Sequence, residues 1–218
     1  MKAPYEKIRS QIASACKQAG RNPETVTLIA VSKNQPFEKI KTLYDLGQRD
    51  FGENYVQELL GKSQAAIEQG LTEIRWHMIG HLQTNKVKQI TGIVSMIHSV
   101  DSIKLAQEIS KRAEHVLPVL LEINLDEEET KSGLTPSELP FIASEIALMR
   151  NLELRGLMCI PNPKNTQDPF KRLATLEQSL RPLTHGVLSM GMSDDFEEAI
   201  LAGATHIRVG TALFGARL

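Results

Sequence analysis

The sequence predicts an α/β protein: a single-domain (β/α)8 barrel of the TIM type, with one extra helix at its N-terminus. Three observations lead there. Short apolar runs alternate with longer amphipathic runs eight times, and strand followed by helix, repeated, means a parallel sheet covered by helices. The chain has 218 residues, which suits one domain over 1–218, near the lower end for such a barrel at roughly 200 residues. The first apolar run ends in Ser32-Lys33-Asn34, without the glycines that mark the phosphate loop of a doubly wound open sheet.

Each element has its own signal. Pro4–Ala19 is a helix with Ile8, Ile12 and Ala15 on one face, the 3.6-residue period of an amphipathic surface helix. Thr27–Lys33 is a buried strand, and Phe37–Leu46 a helix stopped by Gly47, as glycines commonly stop helices. Arg49–Asn54 is the second strand, with a helix over Tyr55–Gln69 closed by Gly70. Glu73–Gly80 is the third, followed by the helix Thr84–Ile90. Ser95–Val100 is the fourth, and the helix after it starts on Asp101 or Ser102, both good N-caps. Pro118–Leu125, Leu152–Ile160, Val187–Met192 and His206–Gly210 are strands five to eight. Helices over Pro136–Met149, Asp168–Leu180 and Asp194–Ala202 separate them.

Composition excludes several classes. The formal net charge is -1 with both signs dispersed, so no basic block or acidic tail points to nucleic acid or a membrane surface. No apolar run approaches the ~18 residues of a membrane helix, and Met1–Gln11 lacks the apolar core of a secretory signal. Cys16 and Cys159 are the only cysteines, which fits a reducing compartment and rules out a four-cysteine metal site. The expected location is the cytoplasm.

The active site of such a barrel lies at the C-terminal ends of its strands. Lys33 ends the first strand, on the same face as Ile29 and Val31. In a confined mouth, burial disfavours its charged form, and a neutral amine attacks an aldehyde. A lysine that snorkels to solvent is the simpler reading. Asn54 ends the second strand, His81 follows the third and Asn124 lies near the end of the fifth. On the eighth strand His206, Arg208 and Gly210 face inward. An inward guanidinium needs an acceptor: a ligand ring nitrogen would serve, and so would Glu122. Ser193 after the seventh strand and Gly210-Thr211 after the eighth stand where these barrels often bind phosphate. Ser193 is equally placed to cap the next helix. His77 and His81 do not make a metal pair, since four residues of strand span ~13 Å. His98 has only Asp101 near it in sequence, and His206 has no such companion.

These segments resemble the pyridoxal phosphate homeostasis proteins, the YggS/PROSC family. The resemblance is carried by Ala30–Lys33 (AVSK), Phe51–Glu58 (FGENYVQE), Trp76–Lys86 (WHMIGHLQTNK) and Lys131-Ser132-Gly133. It continues through Arg155–Pro161 (RGLMCIP), Leu188–Asp195 (LSMGMSDD) and Ile207–Gly215 (IRVGTALFG). It implies a barrel like the N-terminal domain of bacterial alanine racemase, with pyridoxal 5′-phosphate (PLP) held by Lys33 as a Schiff base. It also implies phosphate near Ser193, Gly210 and Thr211, the pyridine nitrogen facing Arg208, and Asn54 and His81 near the cofactor mouth. Lys131 matches a further family lysine. One departure is visible: Gln35 stands where the family often has a second lysine.

A carrier that buffers PLP or delivers it to PLP-dependent apoenzymes is expected rather than an enzyme. The alternative is an amino-acid racemase or another PLP-dependent enzyme of the alanine racemase fold type. An arginine at the pyridine nitrogen leaves that nitrogen unprotonated and weakens the ring as an electron sink. The racemase adds a second domain and a tyrosine base, whereas this chain stops at Leu218 and has only Tyr5, Tyr44 and Tyr55. A monomer is expected.

Overall fold

The computed structural model describes residues 1–126, 128, 132–162 and 168–215. Eight parallel strands close into a barrel in chain order. They are β1 (Thr27–Val31), β2 (Asp50–Glu53), β3 (Arg75–Met78), β4 (Val94–Val100), β5 (Leu117–Ile123), β6 (Leu152–Cys159), β7 (Val187–Ser189) and β8 (His206–Val209). Helix α1 (Lys2–Gln18) precedes them. Then α2 (Phe37–Asp45), α3 (Val56–Glu68), α4 (Val87–Ile90), α5 (Ile103–Arg112), α6 (Leu139–Ala147), α7 (Pro169–Ser179), α8 (Phe196–Leu201) and α9 (Thr211–Phe214) follow one per strand.

Alternation along each strand divides the side chains between two sides of the wall. Leu28, Ala30, Phe51, Met78, Ile97, Leu121, Leu157, Leu188, Ile207 and Val209 join the large apolar layer shared with the helices. The opposite parity fills the barrel, and its apolar part is small: a cluster of Met96, Leu120, Met158 and Val187, together with Ile29. The rest of the interior is unusually polar and includes His77, His98, Glu122, Ser189 and Arg208, all buried. Gly52 belongs to the same layer. A Cβ there would sit 2.8 Å from Ile29 and 2.9 Å from Ile79, so only glycine leaves room for both.

The extra N-terminal helix buries Ile8, Ile12, Ala15 and Cys16 and packs against α8 and α9. The barrel itself is closed by the pairing of β1 with β8. Ser102 caps α5, accepting from Leu105 N–H at 3.3 Å, and Asp168 caps α7, accepting from Lys171 N–H at 3.2 Å.

Several boundaries move for local reasons. β1 stops at Val31, two residues short of Lys33, because Gln35 N–H returns to the Ser32 carbonyl at 3.0 Å and Asn34 turns to φ 58. β7 stops at Ser189, since Gly191 takes φ +89 and a Cβ there would meet Ala199 at 2.6 Å. The segment expected to be one helix over Thr84–Ile90 is a 3-10 turn, Thr84–Lys86, running into α4.

Candidate functional site

The strand ends surround a cavity of about 230 Å³. Six of the seven residues singled out in the sequence line it: Lys33, Asn54, Ser193, Arg208, Gly210 and Thr211. Val31, Ile79 and Ile160 supply apolar wall.

Lys33 occupies the turn after β1, and that turn is clamped from beneath. Lys62 on α3 donates to the Ser32 carbonyl at 2.7 Å, to Glu53 Oε1 at 2.8 Å and to Glu58 Oε2 at 2.7 Å. Ser32 Oγ donates to the same Glu53 oxygen at 2.6 Å, and Asn34 N–H to Glu58 Oε2 at 2.7 Å. The peptide groups on both sides of Lys33 are therefore tied to one ion cluster. Gln35 accepts from Lys39 Nζ at 2.8 Å.

Arg208 forms the floor. It is 4 % exposed and donates through Nη1 to Ser189 Oγ at 2.7 Å and through Nη2 to the Cys159 carbonyl at 2.8 Å. Among the described residues it forms no ion pair with Glu122, so of the two readings open in the sequence the structural pair is not made. Burial lowers its pKa; charges nearby, Glu122 among them, oppose that. The guanidinium has five N–H donors, so groups remain for a ligand in the cavity.

The third corner is made by the turns after β7 and β8. Ser193 Oγ lies 3.4 Å from Ala212 N–H, across from Thr211 at the start of α9. Ser193 does not cap the next helix, as its sequence position had suggested. α8 starts later, and Asp195 Oδ1 takes the Met192 N–H at 2.6 Å, which tightens the turn instead. The Ser193 hydroxyl thus stays at the cavity. One small pocket thus brings together an amine, a guanidinium and the hydroxyl-bearing residues Ser193 and Thr211.

The sequence profile described as alanine racemase, N-terminal domain, matches residues 5–218. The chain belongs to the alanine racemase N-terminal domain family. Within it the chain is 44% identical to the pyridoxal phosphate homeostasis protein of Pseudomonas aeruginosa, over 97% of this chain and 93% of that one. It is 40% identical to the protein of that name from Escherichia coli K12, over 96% and 94%. The solved structure of PipY of Synechococcus elongatus PCC7942, with PLP bound, superposes with TM-score 0.84 at 36% identity, covering 95% of this chain and all of that one. Alanine racemase from Corynebacterium glutamicum shares the fold, with TM-score 0.66 at 17% identity, covering 97% of this chain and 60% of the racemase.

In this member of the alanine racemase N-terminal domain family the cavity lies at the strand ends, but His81 stands apart from it. Its Nδ1 is 3.2 Å from Asp101 Oδ2, and it lines a shallow groove with Gln83, Asn85 and Ser102 instead of the cavity. Lys131 lies outside the described residues. Asn124 is turned away, its amide donating to the Glu128 carbonyl at 2.8 Å. Among the described residues no cluster of His, Cys, Asp and Glu could hold a metal ion. Sequence reasoning missed the meeting of His77, His98 and Ser189 beneath Arg208. Each has inward parity, but their contact depends on the stagger between strands, which one strand's sequence does not carry.

Glu122 on β5 is 8 % exposed, and its carboxyl is pushed up to about 7, first by burial and then by Asp101, against the pull of Arg208 and His81. The unfolded value is near 4.5, so the native state holds an extra proton between these values and loses stability as pH rises through that window. The shift corresponds to about 3 kcal/mol. Glu122→Gln is expected to match the parent near pH 4.5 and to exceed it by up to about 3 kcal/mol above pH 7. Urea unfolding at both ends of the window checks this; an equal difference at both would remove Glu122 as the cause.

Proposed function

We propose that this protein binds PLP, holds it reversibly as a Schiff base on Lys33, and buffers or delivers it as part of PLP homeostasis. The observation that carries the reading is the convergence of Lys33, Arg208 and the Ser193–Thr211 corner on one cavity. Its relatives of 40% and 44% identity bear the matching name over nearly their full length. The residues fit such a group. Asn54 Oδ1 is buried at the cavity wall without a hydrogen-bond partner among the described residues, an arrangement a polar ligand would relieve. Lys33 supplies the amine, Ser193 with the Gly210-Thr211 backbone takes the phosphate, and Arg208 donates to the ring nitrogen. Bound PLP contributes an aldehyde that an amine converts to a Schiff base. His81 is occupied by Asp101 and is left out of the contact set.

A carrier role is favoured over catalysis. Racemisation needs a proton acceptor on one face of the substrate Cα and a donor on the other. Lys33 can serve one face. Tyr55 stands 56% exposed at the start of α3, His81 is engaged outside the cavity, and neither lines it. A guanidinium at the ring nitrogen keeps that nitrogen an acceptor and blunts its electron demand. We take the protein to work as a monomer in the cytoplasm, with PLP-dependent apoenzymes as recipients. No helix among the described residues is long and apolar enough to cross a membrane.

The PLP-loaded protein, incubated with each L-amino acid in deuterium oxide, is expected to exchange Cα protons at about the rate of free PLP. Positioned base catalysis would add roughly 10²–10⁴-fold. Exchange of that size for one amino acid, with its D-isomer accumulating, would reject the carrier reading.

A further inference from the structure

An unbroken run of hydrogen bonds leaves the floor of the cavity and crosses the barrel interior. Arg208 Nη1 donates to Ser189 Oγ at 2.7 Å. Ser189 Oγ is 2.9 Å from His98 Nδ1, His98 Nε2 is 3.0 Å from His77 Nδ1, and His77 Nε2 is 3.1 Å from Asp50 Oδ1. Asp50 is gripped from the far side by Arg75, Nε to Oδ1 at 2.8 Å and Nη2 to Oδ2 at 2.6 Å. The links come from β8, β7, β4, β3 and β2 in turn. Asp50 and Arg75 open their strands, so the run ends at the face opposite the cavity. Ser189 and His98 are fully buried and His77 is 3% exposed, so water does not replace a missing partner.

We propose that Ser189, His98, His77 and Asp50 act together as the positioning chain of Arg208, tying the guanidinium at the cavity floor to a carboxylate at the other end of the barrel. Arg208 fixes the direction. A guanidinium can only donate, so Ser189 Oγ accepts from it. Among the described residues the Ser189 hydroxyl proton has one further partner, His98 Nδ1, and must go there or remain buried without an acceptor, which is costly. His98 then carries its single ring proton on Nε2 and gives it to His77 Nδ1. His77 in turn carries its proton on Nε2, toward Asp50. Every donor points from Arg208 to Asp50. Burial, with the charge of Arg208 nearby, also keeps the His98 ring neutral. Asp50 stays ionised: burial raises its pKa, but the bonds from Arg75 and His77 outweigh that and hold it at about 2. His206 lies beside both rings but turns its Nδ1 to Thr205 Oγ1 at 3.0 Å and is not a link. Such chains polarise along their length, so an acceptor meeting Arg208 in the cavity is felt at His77. That last consequence rests on the reading that Arg208 faces the PLP ring.

Long-range proton–nitrogen NMR on the full-length protein with labelled histidine tests the chain. Without ligand, His98 and His77 are both expected as neutral rings protonated on Nε2. Asp50→Asn is expected to move the ring nitrogens of His98, which residue 50 does not touch. Ser189→Ala, from the other end, is expected to move those of His77. A His98 ring protonated on Nδ1, or variants that disturb only their direct neighbours, would overturn the chain; a merely structural contact gives that local pattern. Adding PLP to the parent is expected to shift both rings. If the ligand-free spectra are as stated and PLP moves neither ring, the chain stands and the placing of Arg208 against PLP fails.

Discussion

Lys33→Ala is expected to abolish covalent capture of PLP. In the parent protein, borohydride reduction after PLP addition should leave a pyridoxyl mass on the peptide containing Lys33 and bleach the visible band. In the variant neither should be seen at equal PLP. A Schiff base needs an amine at the cavity, and Lys33 lines it. Neither Lys39 nor Lys62 lines the cavity. Lys39 Nζ donates to Gln35 Oε1 at 2.8 Å and to the Phe214 carbonyl at 3.1 Å, and Lys62 has three acceptors within 2.8 Å. Gln35, in place of a second lysine, offers no substitute amine. Non-covalent binding should persist in the variant, because Ser193, Thr211 and Arg208 are untouched. Equilibrium dialysis should therefore still detect PLP where reduction traps none. A pyridoxyl group mainly on Lys131 in the parent would refute the assignment.

The sequence disclosed the barrel and the cavity because both follow from short-range patterns. Strand periodicity put Ile207 and Val209 on the helix side and Arg208 inside, and both are observed. The rule that barrel sites gather at strand ends then selected Lys33, Asn54, Ser193, Gly210 and Thr211. It also selected His81, which sits past the end of β3 and is drawn to Asp101; position in sequence says nothing about which neighbour wins a side chain. The competition between Ser193 and Asp195 for the turn before α8 was lost from view for the same reason. The interior chain lay deeper still. His98 and Ser189 are 91 residues apart in sequence and meet only when β4 and β7 face each other across a closed barrel. The Glu58–Lys62 pair, four apart on α3, follows helical spacing, but nothing local shows that Glu53 joins it from β2.

That junction gives the largest expected loss of stability. Lys62→Met should destabilise the fold by ~3–5 kcal/mol, the usual cost of removing one partner of a buried ion pair. Lys62 is 9% exposed and uses all three of its N–H donors on the Ser32 carbonyl, Glu53 and Glu58, the full complement of an ammonium. Glu53 depends on it most, being 0% exposed with Oε2 unpartnered among the described residues. Burial already raises the Glu53 pKa even though Lys62 and Ser32 pull it down. Without the ammonium that raised value climbs further, and a carboxyl with a raised native pKa weakens the fold as pH rises. The deficit of the variant should therefore be greater at pH 8 than at pH 5. Glu58 changes in the same direction: burial raises it, but Lys62 and the Asn34 N–H outweigh that and hold it low. Methionine keeps the apolar stem, so lost packing does not account for the effect. Adding Glu53→Gln to Lys62→Met removes the buried charge and should recover part of the loss, while the Ser32 carbonyl still lacks its donor. The turn bearing Lys33 would remain loosened in the double variant, and its PLP trapping should be slower than the parent's even where stability is restored. Urea unfolding at the two pH values, with trapping rates on the folded double variant, separates the two effects. A loss under about 1 kcal/mol, the range of exposed ion pairs, would show that the cluster does not hold this turn.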